Sequence, residues 1–446
     1  MGVNRRSFIR YASLAAAGSA AGLRPFGALN ALAQTSTNYK ALVCVFLFGG
    51  NDANNTLIPF DTTGYGNYAT IRGPLALAQN TLLPLSLAPN FALNPNLPDI
   101  QTLFDNKAAA LITNVGTLVA PVTKAQYQSG AVVPTNLFSH PDQQLEWQNA
   151  AQSGATATGW AGRIADTLTT SYNAGGTVPM ITSVAGDTLF CNGAASTPVS
   201  VSPGNLGGAS CSEGTTECAA QQATAQALLQ FDTGLSLVQA DNAITNNAYN
   251  YSKILTAATA SLPALQTVFP TGNSLGAQLK QIAQIIQARS ALGVNRQIFF
   301  ASLGNFDTHS NQVALQGALL ASLSPALAAF YAATQELGVQ NNVTTFTMSD
   351  FSRTYQPNSN TGSDHAWGSH HIVLGGAVKG GQMYGTFPTL ALGGPDDSGS
   401  NGRWVPSTGS VQYAATLAQW FGVTTAQLPA IFPNIGSFAS NNLGFI

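Results

Sequence analysis

Eight apolar residues in unbroken succession, Ala41-Leu42-Val43-Cys44-Val45-Phe46-Leu47-Phe48, end at Gly49-Gly50. A strand with one face in water alternates apolar and polar side chains. A run without alternation therefore requires burial on both faces, the environment of a parallel sheet covered by helices. Shorter runs of the same kind recur at Ala109–Thr113, Val178–Val184, Gln297–Leu303 and Val343–Met348. Helical periodicity lies between them. The clearest case starts at an N-cap on Ser274 and stops at Gly293, with Leu275, Leu279, Ile282 and Ile286 on one face. A second helix is expected over Gln312–Leu337, broken or kinked near Pro325, and a third over Val411–Phe421, closed by Gly422. Strands alternating with amphipathic helices predict a three-layer α/β domain with a mostly parallel central sheet. Residues 34–446 show no repeat or linker that divides them and read as one domain. The Gly-, Ser-, Thr- and Cys-rich stretch 186–224 reads as a loop insertion.

Charge narrows the function. Only 8% of the 446 residues are charged and the formal net charge is -2, so no basic excess exists to displace counterions and nucleic acid is excluded as a partner. A hydrophobic fraction of 45% argues against disorder. No uncharged apolar run is read as reaching the roughly 18–20 residues that span a bilayer, so no transmembrane segment is expected in the mature chain. The N-terminus reads as an address: Arg5-Arg6-Ser7-Phe8-Ile9, a weakly apolar stretch from Tyr11 to Leu23, and Ala31-Leu32-Ala33 before Gln34. Paired arginines, a modest apolar region and a small-x-small site describe a twin-arginine signal peptide over 1–33, with a short basic amphipathic helix as the plainer alternative. The expected partner is the twin-arginine export machinery and the expected location periplasmic or extracellular. Removing Arg5, Arg6, Arg10 and Arg24 leaves 12 basic against 18 acidic residues, or -6. An oxidising destination suits a disulfide between Cys211 and Cys218, with Cys191 as the competing partner and Cys44 an inert core thiol.

In open α/β sheets, ligands bind beyond the carboxyl ends of the strands. Three of the expected strands deliver an aspartate there: Asp52 in Gly49-Gly50-Asn51-Asp52, Asp307 in Phe306-Asp307-Thr308-His309, and Asp350 in Ser349-Asp350-Phe351-Ser352-Arg353-Thr354. Four of the five histidines, His309, His365, His370 and His371, fall within residues 309–371, together with Asp350 and Asp364. Carboxylates mixed with imidazoles form an oxygen-rich site suited to one or two divalent metal ions among Zn, Mn, Mg, Ca and Fe. Each residue has a plainer reading: Asp307 and Asp350 as helix caps, the histidines as satisfied core groups. Because His370 and His371 are adjacent in an apolar run, their side chains point to opposite faces and at most one reaches the site. The remaining histidine, His140, follows Ser139, which reads as a helix N-cap or as a nucleophile in the favourable field of that terminus. Arg163 and Arg353 are candidates to clamp an anionic ester group, or structural ion-pair partners.

These motifs together, with Gly159-Trp160, Asp364-His365-Ala366-Trp367-Gly368-Ser369-His370-His371 and Gly375-Gly376-Ala377-Val378-Lys379-Gly380-Gly381, resemble domain-of-unknown-function family 1501. These are exported bacterial proteins placed within the alkaline phosphatase and sulfatase-like superfamily. The resemblance covers nearly the whole mature chain. It implies an alkaline-phosphatase-like α/β/α sandwich and metal-dependent hydrolysis of phosphate or sulfate esters, the substrate being a small anionic ester or a polymer. By the same resemblance Asp52, Asp307, His309, Asp350 and His365 are implied metal ligands, and Asp364 and His370 further ligands or their supports. Phe351 stands where the superfamily usually has a histidine ligand, and the spacing of Asp307 to His309 is shorter than usual. No Cys-x-Pro-x-Arg segment is present, which excludes a formylglycine sulfatase. A second expectation follows from these departures: a catalytically inactive relative acting as a binding or assembly protein.

Overall fold

β1 (Lys40–Leu47) is buried at every position from Ala41 to Leu47, as its lack of alternation requires. The computed structural model describes residues 38–151, 157–204, 206, 216–230 and 234–446. Residues 1–33, expected to be a signal peptide, Cys211 and the side chain of Cys218 lie outside the described residues. Cys191 is a buried free thiol.

The strands that follow are β2 (Ala109–Gly116), β3 (Ile181–Ser183), β4 (Val199–Ser200), β5 (Arg296–Leu303), β6 (Val343–Ser349), β7 (Ser369–Leu374), β8 (Met383–Tyr384) and β9 (Thr408–Gly409). They form one sheet in the order β8-β2-β7-β6-β1-β5-β3-β4, with β9 also on β2. Only β7 runs antiparallel to its neighbours, so the sheet is mostly parallel, as expected. A small antiparallel sheet joins Leu57–Pro59, Phe91–Leu93 and Leu83–Pro84.

Both faces of the central sheet are covered. Leu42, Cys44, Phe46, Phe300 and Phe346 share a core with helices Trp160–Tyr172 and Ser410–Phe421. On the opposite face Val43, Val45 and Phe299 are equally buried. Helix Ser274–Gln287 is tied to β5 by Gln278, which donates to the Ser302 carbonyl (2.9 Å) and accepts from its amide (2.9 Å).

Several boundaries differ from expectation. Asn273, one residue earlier than Ser274, caps its helix by accepting from Gly276 N. Helix Gln312–Glu336 runs through Pro325 as one element. Residues 186–224 are not simply a loop: they include β4 and the start of helix Thr216–Leu229. The reading that no run is long and apolar enough to cross a membrane is also corrected, since Gln312–Glu336 meets that test by length and composition. Here it packs as a core helix, with Ser324 donating to Asp99 and buried Gln312 and Gln316 bonded beyond the end of β1.

Candidate functional site

Register decides what meets at the sheet edge. Leu47 of β1 lies level with Leu303 of β5 and Ser349 of β6, so the three chains leave the sheet side by side. β2 ends and β7 begins at the same edge, where Val115 pairs with Ser369. Five segments therefore converge: those after β1, β2, β5 and β6, and the one before β7.

Glycine permits the closest approach. Gly49 (φ +110) and Gly50 (φ +79) occupy backbone conformations that L side chains rarely adopt. A Cβ on Gly49 would lie 2.5 Å from the Asp307 amide nitrogen, and one on Gly50 2.6 Å from the Phe351 ring. Arg353, fully buried, pins the loops together. It donates to the carbonyls of Gly50 (3.0 Å), Gly49, Phe306 (3.3 Å) and Ser363 (3.2 Å), and to Asp307 Oδ1. A buried guanidinium survives only when its donors are met in this way. Arg353 is therefore a structural peg that also holds Asp307, and does not present a free edge for an ester group.

Asp307 Oδ1 is the focus of three imidazoles. His309 Nε2 lies 3.0 Å from it, His140 Nε2 3.2 Å and His365 Nε2 3.5 Å, with His309 Nε2 only 2.9 Å from His365 Nε2. Each ring is anchored through its other nitrogen. His140 Nδ1 meets Asp350 Oδ2 (2.7 Å), His309 Nδ1 meets Asp364 Oδ1 (3.1 Å), and His365 Nδ1 meets the Phe138 carbonyl (2.6 Å). Carboxylates and a carbonyl only accept, so every Nδ1 carries the proton and, in the neutral rings, every Nε2 presents a lone pair inward. His140 Nε2 is buried with no donor to satisfy it. Among the described residues, ligand atoms of His140, Asp307 and His365 all fall within 4.8 Å of one another. Three imidazole nitrogens and one carboxylate oxygen thus face one another, with the Arg353 guanidinium on Asp307 and 3.4 Å from His309 Nε2, an arrangement that could hold a metal ion.

The electrostatics agree. Burial pulls the His140 pKa down, but the hydrogen bond and charge of Asp350, with Asp307 behind, raise it above the ordinary imidazole value. Burial, with the positive charges around it, lowers His365 against the pull of the Phe138 carbonyl. Burial is the largest single influence on Asp307 and raises it, yet the Arg353 hydrogen bond and charge and the nearby histidines together hold it at about 2. Phe351 stacks on His365 (4.8 Å between centroids) and against His140 (4.7 Å), an apolar wall directly after Asp350.

The structure thus gathers Asp307, His309, Asp350, Asp364 and His365 from the expected set and adds His140. Two expected ligands are corrected. Asp52 Oδ1 accepts from Asn54 N (3.0 Å) and Oδ2 from Arg72 and Gln312, all buried, so both oxygens are committed to fold contacts and neither joins the imidazole cluster. His370 is buried, accepts from Asn114 N (3.0 Å) and lies against Phe387, and desolvation lowers its pKa to about 4. Its neighbour His371 is enclosed by Trp147 and Tyr413, and burial lowers it to about 3. Asp350 and Asp364 support histidines by hydrogen bonds, and Asp350 also accepts from Gly49 N and Gln144. Ser139 stands at the N-cap of helix His140–Asn149 but makes no cap bond to its backbone; its hydroxyl donates to Asp142. Arg163 is spent on the carbonyls of Ile431 (2.8 Å), Thr158 (2.8 Å) and Asn149, away from the cluster.

The chain belongs to the family of proteins of unknown function DUF1501, which matches it over residues 39–398. No curated protein matches it in sequence. Among solved structures it is similar to the lipoteichoic acid synthase LtaP from Listeria monocytogenes, with 9% identity and TM-score 0.35, covering 90% of this chain and 78% of that one. It is also similar to a sulfatase from Pseudoalteromonas sp. (10%, TM-score 0.32, 82% and 70%) and to the phosphonate monoester hydrolase of Agrobacterium radiobacter (9%, TM-score 0.32, 86% and 74%). At these TM-scores the likenesses add nothing to the fold already described.

Proposed function

We propose that the cluster is a single-ion metal centre of an ester hydrolase, with His140, His309 and His365 through Nε2 and Asp307 through Oδ1 as its ligands. The convergence of four acceptors, each imidazole fixed from behind, carries this reading. Three nitrogens and one carboxylate oxygen suit Zn²⁺ or another borderline transition ion; Mg²⁺ and Ca²⁺ prefer all-oxygen shells. Of the one or two ions expected, a single ion in a nitrogen-rich shell fits best, because Asp52 and Asp350 are committed elsewhere and Phe351 follows Asp350 where the resemblance implies a histidine. A bound divalent ion supplies Lewis acidity toward an ester oxygen and lowers the pKa of water. The chain itself orients that chemistry: Asp350 and Asp364 hold two rings in one tautomer, Phe351 excludes water from one side, and Arg353 keeps Asp307 ionised. Phosphate or related esters come first as substrates on the family resemblance. Elemental analysis of purified protein is expected to show one transition ion per chain, and Asp307→Ala to lose it together with any measured ester hydrolysis. A wild type that folds without metal would overturn the reading.

One observation favours the second reading, a binding or assembly protein on the same scaffold: Ser139, the expected nucleophile, is hydrogen-bonded to Asp142 and to no histidine. Metal without turnover on phosphate, phosphonate and sulfate esters would select it. Export rests on Arg5-Arg6 and the segment behind it. Replacing both arginines with lysine is expected to leave unprocessed precursor in the cytoplasm; normal export of that variant would refute the twin-arginine route.

A further inference from the structure

Arg403 is built into the same edge but uses its donors differently from Arg353. Its backbone is fixed by Asp397, whose fully buried carboxylate accepts from four amides: Gly393 N (2.9 Å), Gly399 N (3.1 Å), Gly402 N (2.9 Å) and Arg403 N (3.1 Å). On the far side Trp404 is buried and donates from its indole to Asn54 (2.9 Å). The Arg403 side chain is half-buried and doubly tied to His365. Its Nε donates to the His365 carbonyl (2.9 Å), and its guanidinium lies 4.2 Å over the ring of Phe138, whose own carbonyl accepts from His365 Nδ1. Among the described residues neither Nη has a hydrogen-bond partner, and no carboxylate pairs with the group. A guanidinium tied at Nε and stacked on an aromatic face has lost most of its rotamer freedom while keeping its outer edge of parallel N–H donors.

Charge supplies the occupant. Asp307, Asp350 and Asp364 sum to -3 against +1 from Arg353, and a divalent ion brings the cluster to zero. Arg403 then makes the edge positive. We infer that Arg403 binds the tetrahedral oxyanion group of the substrate, two Nη–H donors to two oxygens, beside the His140–His309–His365 cluster. The inference deepens the hydrolase reading by naming the residue that grips the phosphate- or sulfate-type group, and it rests on that reading for the divalent ion that offsets the carboxylates.

Calorimetric titration of the full folded protein with inorganic phosphate and, separately, sulfate tests it, with metal content measured on the same samples. Arg403→Gln is expected to weaken oxyanion binding about 10- to 100-fold, the scale of a charge-assisted bidentate contact. Arg403→Lys, which keeps charge and loses the fork, should fall between, and metal content on the same samples separates loss of the grip from loss of the ion. Whichever anion is bound more tightly identifies the ester class. An affinity within twofold of wild type in Arg403→Gln, or a wild type that binds neither anion, overturns the inference even if metal is present. Loss of anion binding in a protein that holds no metal would sustain Arg403 and sink the metal centre instead.

Discussion

Two aspartate–arginine pairs sit beyond neighbouring strands of one sheet, and they do different work. Asp52 follows β1 and pairs with Arg72, both side chains 0% exposed. Asp307 follows β5 and pairs with Arg353, but its side chain is 47% exposed. Asp52 has donors on both oxygens: an amide, an amide side chain and a guanidinium. Asp307 Oδ1 has one donor, Arg353, and three imidazole lone pairs. The first pair is electrically closed and can only hold the fold together. The second is short of positive charge and open to solvent, which is what a ligand site requires. The histidines repeat the contrast: His370 and His371 are sealed among aromatic rings, whereas His309 is 44% exposed.

Truncating the closed pair should be the more damaging to the fold. Asp52→Ala leaves Arg72 buried and unpaired, a loss of about 3–5 kcal/mol read by urea unfolding, while the protein that still folds keeps its metal. The Asp307→Ala variant should do the reverse, and equal stability losses in the two would erase the distinction. Next, Asp350→Asn removes the anchor behind His140 and should weaken metal affinity about 10- to 100-fold in a chelator competition; an unchanged affinity would mean that His140 is not a ligand.

The last effect, a pH-dependent one, concerns the sealed histidines. His371 is lowered from 6.5 to about 3, so between those values the unfolded chain binds a proton that the folded one refuses. Stability therefore rises with pH across that window and is lost, at about 1.4 kcal/mol per pH unit for one proton, as pH falls below 6.5. His371→Phe should flatten that acid limb by about one proton in unfolding series from pH 6 to 4 (roughly, within the range set by these pKa values). A limb of undiminished slope would show that His371 is not sealed.

How far the sequence could be read follows from the same physics. An unbroken apolar run marks β1, and short runs rich in apolar and β-branched residues mark β5 and β6, where even Thr344, Thr345 and Thr347 are buried; the rule about carboxyl ends then points to Asp307 and Asp350. It points equally to Asp52, since nothing local to Asp52 announces Arg72 twenty residues on. His140 reaches the edge only after the long connection 117–139 that follows β2, so no short motif beside a strand marks it in the sequence. Arg353 and Arg403 are indistinguishable as letters. Only the backbone carbonyls around one, and the bare Nη edge of the other, separate peg from grip.

The anchoring of the three imidazoles also bears on how the molecule comes into being. The Asp350 that steadies His140 is 210 residues away along the chain, and the Phe138 carbonyl that steadies His365 is 227 away. Contacts so remote are among the last a chain completes. A partly made protein offers an ion little beyond the local Asp307–His309 pair, and tight capture becomes a late event that reports a finished sheet. On the metal-centre reading, uptake would then divide completed molecules from incomplete ones.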